Sequence, residues 1–181
     1  MRQPPPLQAC HAVLDYAYPW ADVISAFKFR ADPGWAIPLA GLLRASPGTQ
    51  PALQAAQLVL PIPLSRQRLR QRGYNQALLL ARRLGAGRKL QPGLLLRLQD
   101  SAAQSSLPRA ARLQNLRAAF AIDPLAANQV AGQRVLLVDD VMTTGATLHA
   151  AALALLAAGA ASVAALVLAR TPANSIGSQT T

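Results

Sequence analysis

No glutamate occurs anywhere in the 181 residues; the seven acidic side chains are all Asp. That absence excludes Glu-based general acids and bases, two-Glu glycosidase sites and HExxH-type metal sites. A lone cysteine, Cys10, excludes an internal disulfide and a cysteine-rich zinc site. It suits a reducing, cytoplasmic compartment, with Cys10 expected as a small buried hydrophobe. No sustained apolar segment follows Met1-Arg2-Gln3-Pro4-Pro5-Pro6, because Gln8, Cys10 and His11 interrupt it, so a secretory signal is not expected. One uncharged run, 150–169, has the length of a membrane span. It is mostly alanine and Gly159 breaks it, which fits a helix ending near Gly159 with a buried strand after it, and no membrane is expected. Aromatic residues are scarce at 4%, and Tyr74 alone lies between 66 and 117, which counts against the interleaved stacking platforms of single-strand nucleic-acid binders.

What the chain holds in excess is positive charge, and in one place. The formal net charge is +11. Eleven Arg and Lys89 lie between 66 and 117 against Asp100 alone, while elsewhere six basic groups balance six Asp. Such confinement points to a device for holding an anion, since charge serving solubility would be spread over the surface. Length allows one domain with a proper core, and a hydrophobic content of 52% makes it globular. The expected layout is a single domain over 1–181, with 1–50 as a hood over the site, 57–170 as the core and 171–181 as a frayed tail.

Two helices are expected near 21–30 and 35–45, followed by alternating strands and helices. Residues 57–62 read as a short buried strand ended by Pro61 and Pro63, and 64–72 as a basic loop. A helix is expected from Asn75 as N-cap to Leu84, with Gly85 or Gly87 ending it. Strands are expected at 94–97 and 118–122, separated by a polar segment long enough to be a functional loop, with one helical turn near 109–116. A buried strand over 134–138, a helix over 146–158 and a strand over 163–169 complete the pattern. Alternation of this sort predicts an α/β fold, a mostly parallel sheet flanked by helices.

The chemistry concentrates in Val135-Leu136-Leu137-Val138-Asp139-Asp140-Val141-Met142-Thr143-Thr144-Gly145-Ala146-Thr147. Branched apolar residues make a central strand, and Asp139 and Asp140 stand at its carboxyl end, where open α/β sheets bind ligands. Adjacent carboxylates on an extended segment point apart, so they can accept from two neighbouring hydroxyls or bind hydrated Mg2+. Thr143, Thr144, Gly145 and Thr147 then offer hydroxyls and backbone N–H groups at a helix start, which favours a phosphate. The parts describe a sugar phosphate, with the diol on the acids and the monoester on the turn.

This stretch resembles the phosphoribosyl diphosphate (PRPP) binding motif of the type I phosphoribosyltransferases. The resemblance implies that Asp139 and Asp140 bind the ribose hydroxyls and Thr143, Thr144, Gly145, Ala146 and Thr147 the 5-phosphate, with Val141 and Met142 completing the PRPP-binding stretch. It also implies Mg2+ held mainly by the diphosphate, with no direct protein ligand. A second segment, Leu60-Pro61-Ile62-Pro63-Leu64-Ser65 through Arg66, Arg68, Arg70 and Arg72 to Gly73-Tyr74-Asn75, resembles the signature of the ComF family, phosphoribosyltransferase-like proteins linked to DNA uptake and competence. Its arginines can meet diphosphate oxygens with bidentate donors, or form a solvated basic face. On the first reading Pro63, Leu64, Ser65, Arg66, Arg70, Arg72, Gly73 and Asn75 are the diphosphate-binding candidates. A third segment, Arg97 to Leu116, resembles the flexible catalytic loop of the same family and of amidophosphoribosyltransferases, with Arg97, Gln104, Arg109, Arg112 and Asn115 at matching positions. A lid carrying arginines can exclude water and stabilise departing diphosphate, whereas an amphipathic surface turn would show the same spacing. Lys28, in Phe27-Lys28-Phe29, matches a family lysine and equally fits a snorkelling side chain. ComF proteins usually begin with a four-cysteine zinc ribbon; with Cys10 alone present, the ribbon is either lost or outside this chain, and any partner docking it serves is not carried over.

The resemblance implies a PRPP-binding, Mg2+-dependent phosphoribosyltransferase, with Asp139, Asp140, Arg97, Arg109 and Arg112 as catalytic residues. The first 50 residues, with Trp20, Phe27, Phe29 and Trp35, name no acceptor. A second reading is a non-catalytic DNA-uptake component that binds single-stranded DNA or a competence helicase, with PRPP as a regulatory ligand. Self-association into a homo-oligomer is left open.

Overall fold

The computed structural model describes residues 5–30, 32–98 and 119–172. Four strands form the central sheet in the spatial order β1-β6-β5-β2. They are β1 (Ala9–Asp15), β2 (Leu58–Pro61), β5 (Arg134–Met142) and β6 (Ser162–Arg170), and every neighbouring pair is parallel. A separate antiparallel pair joins β3 (Leu95–Arg97) to β4 (Phe120–Ile122). The helices are α1 (Trp20–Phe29), α2 (Ala36–Ala45), α3 (Thr49–Ala55), α4 (Arg66–Arg72), α5 (Gln76–Arg82) and α6 (Ala146–Ala157).

Alternation along β5 and β6 builds a core on each face of the sheet, because successive strand residues point to opposite sides. Val135, Leu137, Val163, Ala165 and Val167 face α6 and pack with Leu148, Ala151, Leu155 and Phe120. Leu136, Val138, Leu166 and Leu168 face the other way, onto Ile24, Phe27, Leu39, Leu43 and Leu80 of α1, α2 and α5. Both faces are thus covered, which is why the central strands read as continuous apolar runs. The long uncharged run resolves as expected into α6 and β6, joined through Gly159, and no helix among the described residues is long and apolar enough to cross a membrane.

Several expectations need correction. Residues 64–72 are not a loop: α4 occupies 66–72, with the Ser65 hydroxyl accepting from the Arg68 N–H at 3.2 Å and Gly73 closing it at φ 77. Its sequence, Arg-Gln-Arg-Leu-Arg-Gln-Arg, lacks an apolar face, yet Arg, Gln and Leu are all good helix formers. The stretch 1–50 is more than a hood, because β1 is an edge strand of the central sheet beside β6, and α3 begins at its end, where no helix is expected. The strand expected over 134–138 continues to Met142, so Asp139 and Asp140 lie within it. Strands 94–97 and 118–122 appear as β3 and β4 but pair with each other outside the parallel sheet. Cys10 is exposed rather than buried, its thiol 3.7 Å from the Met142 sulfur, because it sits on an outer strand. The helical turn expected near 109–116 lies outside the described residues, as does the tail beyond Pro172.

Candidate phosphoribosyl site

The site forms at the carboxyl end of β5, where the strand leaves the sheet for α6. Asp140 is 7% exposed and Asp139 partly buried. Being adjacent on a strand, the two side chains diverge. Asp139 Oδ1 accepts from the Asp140 N–H at 2.9 Å, while Asp140 Oδ1 pairs with Lys28 Nζ at 3.2 Å. Burial, reinforced by the neighbouring Asp140 charge, raises the Asp139 pKa to about 7; the Asp140 N–H bond, Lys28 and Arg97 oppose the rise without cancelling it.

A cavity of about 270 Å³ opens over these carboxylates. Four cations line it, Lys28, Arg68, Arg72 and Arg97, together with Ile62, Leu64, Val141, Thr143 and Thr147. Four positive groups against two carboxylates leave it net positive, the electrostatic setting an anion requires. Between the lining residues Thr143 and Thr147, Gly145, at φ 76, turns the chain into α6 without any side-chain cap. A left-handed turn there strains any residue with a Cβ, and it leaves the first N–H groups of the helix available to a phosphate. Of those groups the Ala146 N–H makes one weak bond, to Thr144 Oγ1 at 3.4 Å.

Not every candidate faces this cavity. Arg68 and Arg72 are four apart and share the inner face of α4, whereas Arg66 and Arg70 are exposed and do not line the cavity. Arg68, absent from the diphosphate-binding candidates, lines the cavity because the helical spacing of α4 puts it on the same face as Arg72. Ser65, Gly73 and Asn75 build the frame. Asn75 caps α5 by accepting from the Leu78 N–H at 3.2 Å and donates from Nδ2 to the Ile62 carbonyl at 3.0 Å. Leu64 lines the cavity, and Pro63 lies just before it. Arg97, ending β3, lies with its guanidinium 5.3 Å from the Phe120 ring centroid. Gln104, Arg109, Arg112 and Asn115 fall outside the described residues.

Lys28 is placed from a distance. The Tyr74 hydroxyl and the Gln76 amide, the latter at 3.4 Å, both donate to the Phe27 carbonyl, and Arg72 stands 5.1 Å over the Phe29 ring. The turn between α4 and α5 therefore grips the last residues of α1 on both sides of Lys28. Arg72 also donates to Gln76 Oε1 at 3.1 Å, tying the cavity wall to the same anchor.

A strand carrying two acids near its carboxyl end, beside an uncapped helix turn, is the geometry expected of a phosphoribosyl site, and residues 69–178 match the model of the phosphoribosyl transferase domain. The chain belongs to that family. Among its relatives, DNA utilization protein YhgH of Escherichia coli (strain K12) is 33% identical over 180 residues, 94% of this chain and 76% of the relative. Competence protein ComFC of Bacillus subtilis is 40% identical over 114 residues, covering 62% of this chain and 44% of the relative. Competence protein F of Haemophilus influenzae is 36% identical over 99 residues, 54% of this chain and 43% of the relative. These relatives make it a ComF-type member of the phosphoribosyl transferase family. No solved structure matches. The parallel sheet with helices on both faces is the type I phosphoribosyltransferase fold.

Proposed function

We propose that the cavity binds PRPP with Mg2+ and that the chain transfers the 5-phosphoribosyl group to an acceptor. The observation that carries this reading is the convergence, in one cavity, of two strand-end carboxylates, four cations and the uncapped start of α6. Asp139 and Asp140 would accept from the ribose 2- and 3-hydroxyls. The turn Thr143–Thr147 would hold the 5-phosphate, and Arg68 and Arg72 the diphosphate. Among the described residues no group of three or more His, Cys, Asp or Glu could cage a metal, and Asp140 already pairs with Lys28. A carboxylate already engaged by a lysine suits Mg2+ carried on diphosphate oxygens and water. When bound, the ion would neutralise part of the diphosphate charge. The chain's own part is to fix the sugar so that C1 faces the acceptor and to spread the charge that grows on the leaving oxygen over its arginines. Little proton transfer by side chains is required, which suits a chain with two His and no Glu. On cysteine usage we place the protein in the cytoplasm.

Calorimetric titration of PRPP with Mg2+ tests the assignment. The wild type should bind and the double variant Asp139→Asn, Asp140→Asn should not; equal binding by both proteins, or none by either, removes it. A second reading has its own support. Arg66 and Arg70 stand exposed outside the cavity, and Phe29, 70% exposed beside Arg72, adds a second aromatic to the Tyr74 of the basic stretch. Such a surface suits single-stranded DNA, recruited either directly or by a competence helicase. PRPP should then compete with single-stranded DNA, and DNA affinity unchanged at saturating PRPP would sink the idea of a shared site.

A further inference from the structure

The two edges of the central sheet are treated differently. At β2, Val59 bridges to Leu90 and its carbonyl accepts from the Gln91 N–H, so that edge is covered. At β1, no strand among the described residues pairs with the outer edge. Gln8 donates its N–H to the Val163 carbonyl at 2.8 Å and Tyr16 to the Arg170 carbonyl at 2.7 Å, both on β6. Backbone groups alternate sides along a strand, so even-numbered residues face β6, and Ala9, His11, Val13 and Asp15 direct their amides outward. A groove of about 410 Å³ follows Cys10 to Asp15 and is walled by Ser46, Gly48 and Arg170. Neither Pro nor Lys lies in β1 to blunt this edge.

We propose that β1 pairs antiparallel with β1 of a second copy about a two-fold axis at Val13, joining two sheets into one. Side-chain complementarity, an imidazole N–H donor against a carboxylate acceptor, selects both occupant and register. His11 and Asp15 are exposed, and being four apart they lie on one face of the strand at equal distances from Val13. Pairing about Val13 sets His11 opposite Asp15 of the second copy, and Asp15 opposite its His11. The outward residues then form the hydrogen-bonded pairs, with Cα atoms about 5.5 Å apart and side chains in reach. The Asp15 carbonyl already accepts from the Ala17 N–H at 2.9 Å and keeps a second lone pair for this bond. Registers centred on Ala12 or Leu14 keep the amide pairing but set His11 against Val13 or Ala17, losing both polar pairs. The resulting contact is isologous and closes on two copies. No β1 residue lines the cavity over Asp139 and Asp140, so the pairing leaves that cavity intact.

Sedimentation equilibrium of the full chain over a concentration series tests this, with the mass expected to rise toward twice the 19.0 kDa of one chain. Asp15→Lys should raise the dissociation constant at least about tenfold. The double variant His11→Asp, Asp15→Lys should restore it, because each pair then sets a carboxylate opposite an ammonium. Val13→Pro deletes one outward amide and no bond to β6, so it should give a monomer with unchanged far-ultraviolet circular dichroism. Should that variant fail to fold, the charge exchange still decides. A chain monomeric at every concentration, its edge left to a foreign strand, overturns the proposal. So does a dimer that Asp15→Lys leaves intact, or one that the exchanged double variant does not recover.

Discussion

Replacing Asp139 by Asn should make the ligand-free protein more stable at neutral pH while abolishing PRPP binding. The folded chain holds this carboxyl at a pKa of about 7 against an ordinary 3.8, chiefly through burial and secondly through Asp140. Below about pH 4 the group is neutral in folded and unfolded chains alike. Between about pH 4 and 7 it ionises freely once unfolded but resists ionisation when folded, so the wild type loses stability as pH rises, and above 7 the loss is complete. At about 1.4 kcal/mol per pH unit the full displacement is worth about 4 kcal/mol. The realised gain is smaller, because the carboxyl is partly solvated and the Asn amide must find partners of its own. We expect a gain of about 1–2 kcal/mol at pH 8, or roughly 2–8 °C in Tm. Thermal and urea melts of both proteins from pH 4 to 8 measure it. The stability difference should grow with pH and level off above 7. A difference independent of pH, or one favouring the wild type more as pH rises, would refute the reasoning. Loss of binding alongside the gain would mark Asp139 as a position held at a cost to stability.

Three further outcomes follow from the geometry. Arg68→Ala and Arg72→Ala should each weaken PRPP binding by about tenfold or more, as loss of a charge-assisted bond does, whereas Arg66→Ala and Arg70→Ala should change it less than about twofold; equal effects in titration calorimetry would overturn the assignment of the inner face of α4. Tyr74→Phe removes the hydroxyl that donates to the Phe27 carbonyl and should cost about 1 kcal/mol in urea unfolding. It should also lower PRPP affinity by loosening Lys28, and a variant of unchanged affinity would separate that anchor from the site. Gly145→Ala forces a Cβ into a turn at φ 76, so a loss of about 1–2 kcal/mol is expected together with weaker phosphate binding; a stability within error of the wild type would show that the turn relaxes.

The legible parts of this protein were local. Branched residues before Asp139, a glycine at the head of a helix, and Asn75 at the N-cap of α5 are signals spanning less than a helical turn, and each forms where it was expected. Where a local signal was weak, the reading failed: α4 carries no apolar face, and β1 shows no clean alternation through Ala-Cys-His-Ala-Val-Leu-Asp. Treating 64–72 as a loop also hid which arginines share a face.

By itself the sequence determined the parallel α/β class and the acid pair followed by a Thr/Gly turn into a helix. The hydrophobic period of the strands and the conformational demands of glycine and caps act within a few residues of chain. Only the tertiary structure decided that Lys28, from the first helix, reaches Asp140, and that Arg68 and Arg72 rather than Arg66 and Arg70 face it. It alone showed that Tyr74 and Gln76 grip Phe27, and that no strand among the described residues pairs with the outer edge of β1. Those facts depend on how separate elements pack, and packing is set by the whole core rather than by any one segment.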